Sequence, residues 1–108
     1  MPVEISAREL AQLLENGRTI RLIDVRQPWE YALACLPASV LIPLNELPAR
    51  AGEIAIDPES LIVVYCHHGV RSLSAAAYLR RLGHVGVTSL AGGIDAWSCE
   101  VDPTVPRY

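Results

Sequence analysis

The sequence predicts one α/β domain with a mainly parallel sheet, and three observations carry this prediction. The chain has 108 residues, a length typical of a single domain, so we assign residues 1–108 to one unit. Short apolar runs alternate with segments of helical spacing, which is the order expected when helices connect parallel strands. Residues 61–65 are apolar at every position, as in a central strand that is covered on both faces.

The first half of the chain contains signals for helices and strands in alternation. Ser6 and Glu9 have the spacing of a helix capping box, leucines at 10, 13 and 14 follow with helical spacing, and Gly17 can end the helix. The next predicted elements are a strand at 20–25, a short helix that starts at Pro28 and covers 29–33, a strand at 40–42 and a helix at 44–51. Pro48 lies inside the last of these and weakens its helical pattern.

The second half of the chain is predicted to supply the centre of the sheet. The strand at 61–65 precedes a helix at 72–82, where alanines 75–77 permit close contact with the sheet and Gly83 can end the helix. A further strand is predicted at 85–90, after which Gly92 and Gly93 turn the chain into a short helix that ends near Trp97. Residues 102–108 contain proline and are expected to form a surface tail.

Composition and charge argue against several classes of protein. Hydrophobic residues make up 51% of the chain and charged residues 19%, so the chain is globular and not disordered. The net charge is −3 without a basic stripe, which argues against nucleic acid as a partner. No apolar stretch approaches the ~20 residues that cross a bilayer, and the N-terminus lacks the apolar region of a secretory signal. We therefore expect a cytoplasmic protein without a membrane partner.

Cys66 stands at the junction between the apolar strand and the following helix, which we expect to begin near Arg71 or Ser72. The three cysteines of the chain have no regular spacing and form no disulfide framework, so a reducing compartment would keep Cys66 as a free thiol. Ligands of open α/β sheets bind at the carboxyl ends of strands, and a helix N-terminus offers unpaired N–H groups. The position therefore suits a reactive or binding group.

The loop at 67–72 has the residues of an anion cradle. If this loop curls around the Cys66 sulfur, its N–H groups point inward and stabilise negative charge. Gly69 permits the positive φ that such a curl needs. Arg71 adds a permanent charge and a planar fork that suits oxyanions.

Two other interpretations of Cys66 stay open from the loop alone. Free cysteine is among the most often buried residues, so Cys66 can be a packing residue at a strand end. A zinc site with His67 and His68 is weaker, because adjacent residues rarely bind one metal together and no second ligand pair with metal spacing is found. We expect both histidines to be mostly neutral loop residues, and we predict no metal site.

Four segments of the chain, in order, resemble the rhodanese (sulfurtransferase) family. LIDVR at 22–26 with PWEY at 28–31 is similar to the family's DVR-x-P-x-E-[FY] segment. LP at 36–37 and IPL at 42–44 match part of its IPGA…IPL stretch. CHHGVRS at 66–72 resembles the active-site loop C-x-x-G-x-R-S, and LAGGIDAW at 90–97 resembles the L-x-GG-x-x-[AG]-W signature. Together these segments span most of the chain.

This resemblance implies a rhodanese-like fold, with about five strands and helices on both faces of the sheet, and a covalent chemistry. In the family, the loop cysteine takes a sulfur from thiosulfate or another sulfane donor as a persulfide and passes it to cyanide, a thiol or an acceptor protein. The resemblance implies Cys66 as the nucleophile and no metal or organic cofactor. It also implies a substrate-binding loop made of His67, His68, Gly69, Val70, Arg71 and Ser72.

Asp24 and Arg26 lie in the first family segment, and we expect them to support the loop. Asp24 ends its strand on the same edge as Cys66 if the sheet is parallel. There it can pair with Arg71 or accept hydrogen bonds from loop N–H groups, while a solvated or helix-capping aspartate is the alternative. Arg26 is expected to be structural.

Loop length separates the predicted chemistry from that of related phosphatases. Four residues lie between Cys66 and Arg71, whereas Cdc25-type phosphatases have five and a wider loop that holds phosphate. The shorter loop should fit a sulfur atom better, so phosphatase and arsenate reductase rank below sulfurtransferase. A further alternative is a rhodanese-like relay or interaction module that a protein donor loads and that has little activity on free thiosulfate.

Residues 34–39 depart from the family's GHIPGA pattern. Alanine replaces both glycines, and Cys35 replaces the histidine. Cys35 is thereby placed after the strand that ends at Asp24, where it can resolve a Cys66 persulfide as a disulfide. A small buried replacement is the favoured interpretation. Cys99 has no predicted partner.

Overall fold

The computed structural model describes residues 3–55 and 57–108 and contains a five-stranded parallel sheet. The strands are β1 (Glu4–Ile5), β2 (Ile20–Asp24), β3 (Val40–Leu41), β4 (Leu61–Tyr65) and β5 (Thr88–Leu90), in the spatial order β1-β5-β4-β2-β3. β4 lies in the centre, and all its residues are buried. The prediction of a mainly parallel sheet of about five strands is confirmed.

Helices cover both faces of the sheet, as predicted. They are α1 (Ala7–Glu15), α2 (Pro28–Leu33), α3 (Leu47–Arg50), α4 (Val70–Arg81) and α5 (Gly93–Glu100), with 3-10 turns on either side of α3 at Leu44–Glu46 and Ala51–Glu53. One apolar cluster joins α1 and α5 to the sheet, and a second joins α3 and α4 to its other face. Alternate side chains of β4 enter each cluster, which explains why this strand consists of aliphatic and aromatic residues.

Local signals at the helix starts are confirmed. Glu9 N–H donates to Ser6 Oγ at 3.1 Å and Ser6 N–H donates to Glu9 Oε1 at 3.2 Å, so the capping box of α1 is complete. Pro28 is the first residue of α2. Pro48 is tolerated because it falls in the first turn of α3, where its missing N–H has no helical partner to lose.

Several boundaries differ from the sequence prediction for local reasons. α4 begins at Val70, earlier than predicted, because Gly69 takes the capping position with φ +97°. The strand predicted at 85–90 begins only at Thr88, since Val85 lies exposed in a turn that precedes it. α5 continues past Trp97 to Glu100. β1 was not predicted, because two residues are too few to show a pattern.

The C-terminal tail is more deeply packed than the sequence suggests. Val105 belongs to the apolar cluster beneath α1 and α5, and Tyr108 packs against that cluster. The Asp102 N–H donates to the carbonyl of Trp97 at 2.9 Å. The tail is therefore fixed to the domain and brings its last residue to a defined place.

The parallel arrangement brings the chemistry-bearing residues to one edge of the sheet. Asp24 pairs with Tyr65 in the register between β2 and β4, so the residues that follow these two strands are neighbours. Cys66 is one of them.

Within the described ranges, none of the helices is long and apolar enough to span a bilayer.

Candidate active site

Cys66 directly follows β4, and its sulfur lies beneath the loop that leads into α4. The residue is only 1% exposed. Gly69 N–H donates to Sγ at 3.1 Å and Ser72 N–H donates to it at 3.4 Å. Two backbone N–H groups directed at one sulfur stabilise negative charge on that atom. The loop thus curls around the sulfur as the sequence predicts.

Two serine hydroxyls complete the surroundings of the sulfur. Ser72 Oγ lies 3.4 Å from Cys66 Sγ and 2.7 Å from the Oγ of Ser89 in β5. Both serines are fully buried. Ser89 was not among the predicted site residues, because only the pairing of β4 with β5 brings it here.

The turn between β5 and α5 supports the loop from behind. Ile94 N–H donates to the carbonyl of Cys66 at 2.9 Å, and Asp95 N–H donates to the carbonyl of His67 at 3.2 Å. These N–H groups belong to the first turn of α5, where a helix has no internal acceptors for them. Gly93 has φ +62° and lies against the same two carbonyls. This contact gives a physical reason for the double glycine of the LAGGIDAW segment.

Gly93→Ala is expected to deform the loop. The new Cβ would overlap the carbonyl oxygens of Cys66 and His67, and alanine is strained at positive φ. We expect a loss of about 1–3 kcal/mol in the free energy of unfolding, measured by urea denaturation. We also expect slower alkylation of Cys66 by iodoacetamide. Gly86→Ala is the matched control, because a Cβ there meets nothing within 4 Å. Equal effects of both substitutions would contradict this role of Gly93.

Arg71 lies in the first turn of α4 and is bound by Glu30 from α2. Its Nη1 donates to Oε1 at 2.7 Å and its Nη2 donates to Oε2 at 2.9 Å. Hydrogen bonds from Arg71 are the main cause that lowers the pKa of Glu30 to about 2, so this buried carboxylate stays ionised at neutral pH. The hydrogen bond to Glu30 likewise raises the pKa of Arg71, and the electrostatic interaction with nearby Cys66 adds to this increase. Glu30 lies in the PWEY segment at 28–31 but was not among the predicted site residues.

Asp24 binds Arg26, and not Arg71, in the described part of the chain. Arg26 Nε donates to Oδ1 at 2.8 Å, Nη2 donates to Oδ2 at 2.5 Å, and the Arg26 backbone N–H donates to Oδ1 at 2.9 Å. Both side chains are fully buried. The expectation that Asp24 pairs with Arg71 or with loop N–H groups is therefore wrong. A buried guanidinium two residues away needs this carboxylate, because an unpaired charge in the interior is costly.

Tyr108 connects the two ion pairs and was missed by sequence reasoning. Arg26 Nη1 donates to its Oη at 2.8 Å, and the Tyr108 O–H donates to Glu30 Oε2 at 2.6 Å. Burial, followed by the hydrogen bond to Glu30, raises the pKa of Tyr108 to about 12, so the phenol stays protonated. Arg26 Nη1 also lies 3.4 Å from the carbonyl oxygen of Glu30, so Asp24 and Arg26 are connected to Arg71 through Glu30, both directly and by way of Tyr108.

His67 lies in an aromatic stack between His68 and Tyr108. Its ring centroid is 3.9 Å from that of each neighbour, with interplanar angles of 27° and 9°. Burial, followed by the charge of His68, lowers the pKa of His67, which agrees with a neutral ring. His68 is more exposed, with Nδ1 3.9 Å from Asp95 Oδ2. The stack gives His67 a packing role at one side of the loop.

The other two cysteines and the possible metal ligands form no further part of the arrangement around Cys66 in the described residues. Cys35 is half-buried and Cys99 is exposed, and both are free thiols. The resolving role of Cys35 stays a hypothesis, which a peptide map after peroxide treatment would remove if it shows no Cys35–Cys66 disulfide. Among residues 3–55 and 57–108, no three His, Cys, Asp or Glu side chains form a group that could hold a metal ion.

Comparison with known sequences places this site in a family context. A model of the rhodanese-like domain matches residues 6–100. The chain is 38% identical over 95 residues to a sulfurtransferase of Allochromatium vinosum, an alignment that covers 88% of this chain and 87% of that protein. It is 35% identical over 104 residues to the probable adenylyltransferase/sulfurtransferase MoeZ of Mycobacterium tuberculosis. This match covers 96% of the chain but only 26% of MoeZ, so the chain corresponds to about a quarter of that relative.

Comparison with solved structures gives the same result. The human single domain sulfurtransferase TSTD1 is similar with a TM-score of 0.80 and 29% identity, over 93% of this chain and 98% of that chain. The fold, the loop between β4 and α4, and the relatives in sequence and structure agree. The chain belongs to the rhodanese-like domain family.

Proposed function

We propose that this protein is a sulfurtransferase that carries sulfur as a persulfide on Cys66. The donor is thiosulfate or another sulfane compound, and the acceptor is a thiol, cyanide or an acceptor protein. The observation that carries the proposal is the surroundings of Cys66 Sγ. This sulfur accepts hydrogen bonds from the backbone N–H groups of Gly69 at 3.1 Å and Ser72 at 3.4 Å. The sulfurtransferases among the relatives support it.

The proposed reaction has two half-reactions. In the first, the Cys66 thiolate attacks the outer sulfur of thiosulfate. A new S–S bond forms as the bond between the two donor sulfurs breaks, and sulfite leaves with the electron pair of that bond. In the second, the acceptor attacks the outer sulfur of the persulfide, the S–S bond to Cys66 breaks, and the thiolate returns. No metal or organic cofactor takes part.

The loop would stabilise the anionic states of this cycle. N–H groups fixed around the sulfur need no rearrangement when charge develops on it or on the attached sulfur. The Ser72 hydroxyl can donate to the thiolate, since its Oγ is 3.4 Å from Sγ and is oriented by Ser89. We assign substrate contact to the loop residues His67, His68, Gly69, Val70, Arg71 and Ser72.

Phosphatase and arsenate reductase activities rank lower in this proposal. Four residues separate Cys66 from Arg71, and the loop N–H groups lie within 3.4 Å of the sulfur itself. This arrangement suits the single sulfur that stays on Cys66, whereas a transferred phosphoryl group would bring three oxygens that need donors of their own.

A relay module loaded by a protein donor is the second candidate, and exposed apolar side chains beside the loop favour it. Val70, at the start of α4, is 75% exposed. Trp29 is 61% exposed, and its ring lies edge-on to Tyr108 at 6.1 Å. Exposed apolar groups beside a reactive thiol suit contact with another protein. In this case a persulfide-carrying protein should load Cys66 much faster than thiosulfate does, and equal loading would count against a dedicated relay.

Intact-mass measurement after incubation with thiosulfate tests the proposed function. Trypsin cleaves after arginine and places the three cysteines on separate peptides, 27–50 with Cys35, 51–71 with Cys66 and 82–107 with Cys99. We expect one added sulfur, located on peptide 51–71 and removed by cyanide. The proposal fails if neither thiosulfate nor a persulfide donor adds sulfur, or if the sulfur lies on another peptide.

A further inference from the structure

Glu30 occupies the two terminal nitrogens of Arg71 and is itself held in place by further donors. Gln27 N–H donates to Oε1 at 3.0 Å and Tyr108 O–H donates to Oε2 at 2.6 Å. With the two bonds from Arg71, each oxygen of Glu30 has two donors. The Glu30 side chain is 4% exposed, so water does not compete for it. An oxyanion that approaches Arg71 therefore meets a guanidinium whose fork is already filled by a carboxylate.

The charged side chains around the loop cancel in pairs. Arg26 pairs with Asp24, Arg71 with Glu30, and Arg107 with Asp95. These three pairs supply no net positive charge to the site. Thiosulfate is a dianion, so its attraction to this site rests on the loop N–H groups.

We propose that Glu30 is a specificity-determining residue that makes the site favour sulfur donors of low negative charge, such as the persulfide of a thiol, over thiosulfate. The inference rests on the proposed function, because it names the donor class for the same cysteine. Glu30 acts by neutralising and positioning Arg71 and does not act on the reacting sulfur. With such a donor, the Cys66 thiolate attacks the outer sulfur, the donor S–S bond breaks, and the donor's thiolate leaves with the electron pair. The proton of the donor stays on the transferred sulfur.

Alkylation of Cys66 by a matched pair of reagents measures this electrostatic effect without any sulfur transfer. Iodoacetate and iodoacetamide both lose iodide to the thiolate, and they differ by one negative charge. The ratio of their rate constants at Cys66, read on peptide 51–71, reports how the site treats an anion. Glu30→Gln keeps the shape and an acceptor for Gln27 N–H and removes the charge. We expect the ratio of iodoacetate to iodoacetamide to rise roughly threefold, the effect of one charge at an assumed distance of about 10 Å with an effective dielectric constant of about 20 and a Debye length of about 10 Å.

Glu53→Gln is the control for a general change in charge. Glu53 also binds an arginine through both oxygens, with Arg50 Nε at 2.9 Å and Nη2 at 3.1 Å, but it is exposed. In Glu53→Gln we expect the ratio of the iodoacetate and iodoacetamide rate constants to equal that of the wild type. An unchanged ratio in folded Glu30→Gln, or an equal rise in both variants, would overturn the proposal.

A double replacement keeps the proposal testable if Glu30→Gln does not fold. Glu30→Gln combined with Arg71→Gln removes the pair and leaves no unpaired charge. Because Arg71→Gln also removes a trypsin site, Cys66 is then read on peptide 51–80. Because the pair is neutral in the proposal, we expect the wild-type ratio. A fall of roughly threefold, the effect of losing one nearby cation, would show that Arg71 acts as a free charge and would contradict the inference.

Sulfur loading of the same variants separates this inference from the proposed function. In Glu30→Gln we expect the KM for thiosulfate to fall, while the rate of loading by an alkyl persulfide changes little. If the wild type gains no sulfur from any donor, the proposed function fails, and the alkylation ratio still tests the role of Glu30. If sulfur loads but the ratio stays fixed, only the role of Glu30 fails.

Discussion

Cys66→Ala is expected to abolish sulfur loading from thiosulfate and from persulfide donors. The N–H groups of Gly69 and Ser72 are directed at the Cys66 sulfur, whereas Cys35 is half-buried elsewhere in the chain and Cys99 is exposed. Alanine is smaller than cysteine and fits the same place, so the fold should persist. Intact mass after incubation with each donor measures the result.

Cys35→Ala and Cys99→Ala are the matched controls for this experiment. Each removes one thiol and leaves the loop around Cys66 untouched, so both variants should load one sulfur as the wild type does. If Cys66→Ala still gained a sulfur under the same conditions, the nucleophile would have to be sought on peptides 27–50 or 82–107. The assignment of Cys66 would then be abandoned.

Asp24→Ala is expected to lower the free energy of unfolding by about 3–5 kcal/mol, because it leaves the buried charge of Arg26 without its carboxylate. Both side chains of this pair are fully buried, with Nη2 and Oδ2 2.5 Å apart. Urea denaturation at neutral pH measures the loss. Arg26 also holds Tyr108, so we expect the contact of Tyr108 with Glu30 to weaken in the same variant.

Glu53→Ala provides the comparison for the effect of burial. It breaks an arginine pair of similar geometry at the surface, where water screens the charges. We expect no measurable change in the free energy of unfolding. Comparable losses in the free energy of unfolding in the two variants would show that burial does not determine how much the Asp24–Arg26 pair contributes to stability.

The sequence predicts those parts of this protein that depend on neighbours along the chain. The capping box at Ser6 and the start of α2 at Pro28 are local, and both are found in the structure. The apolar run at 61–65 is buried on both faces. Gly69 has the positive φ that a tight loop around Cys66 requires. In each case the signal and its structural effect lie within a few residues of one another.

The sequence does not reveal the partners that only the tertiary fold brings together. Glu30 and Arg71 are 41 positions apart, and Tyr108 reaches Glu30 across 78. The spacing of charges could not decide whether Asp24 or Glu30 meets Arg71, since both precede the loop by a long segment. A signal did exist for Glu30, because an acidic residue inside an ordered family segment needs a partner when it is buried. For Tyr108 the sequence offers no such signal.

The burial of Cys66 also determines how long a transferred sulfur would be retained. At 1% exposure, the Cys66 thiol can be reached only by a reagent that enters beneath the loop. The size and shape of a donor or acceptor should therefore affect its rate of reaction as well as its charge. The rate of release would depend on how well an acceptor fits the loop, in addition to its concentration.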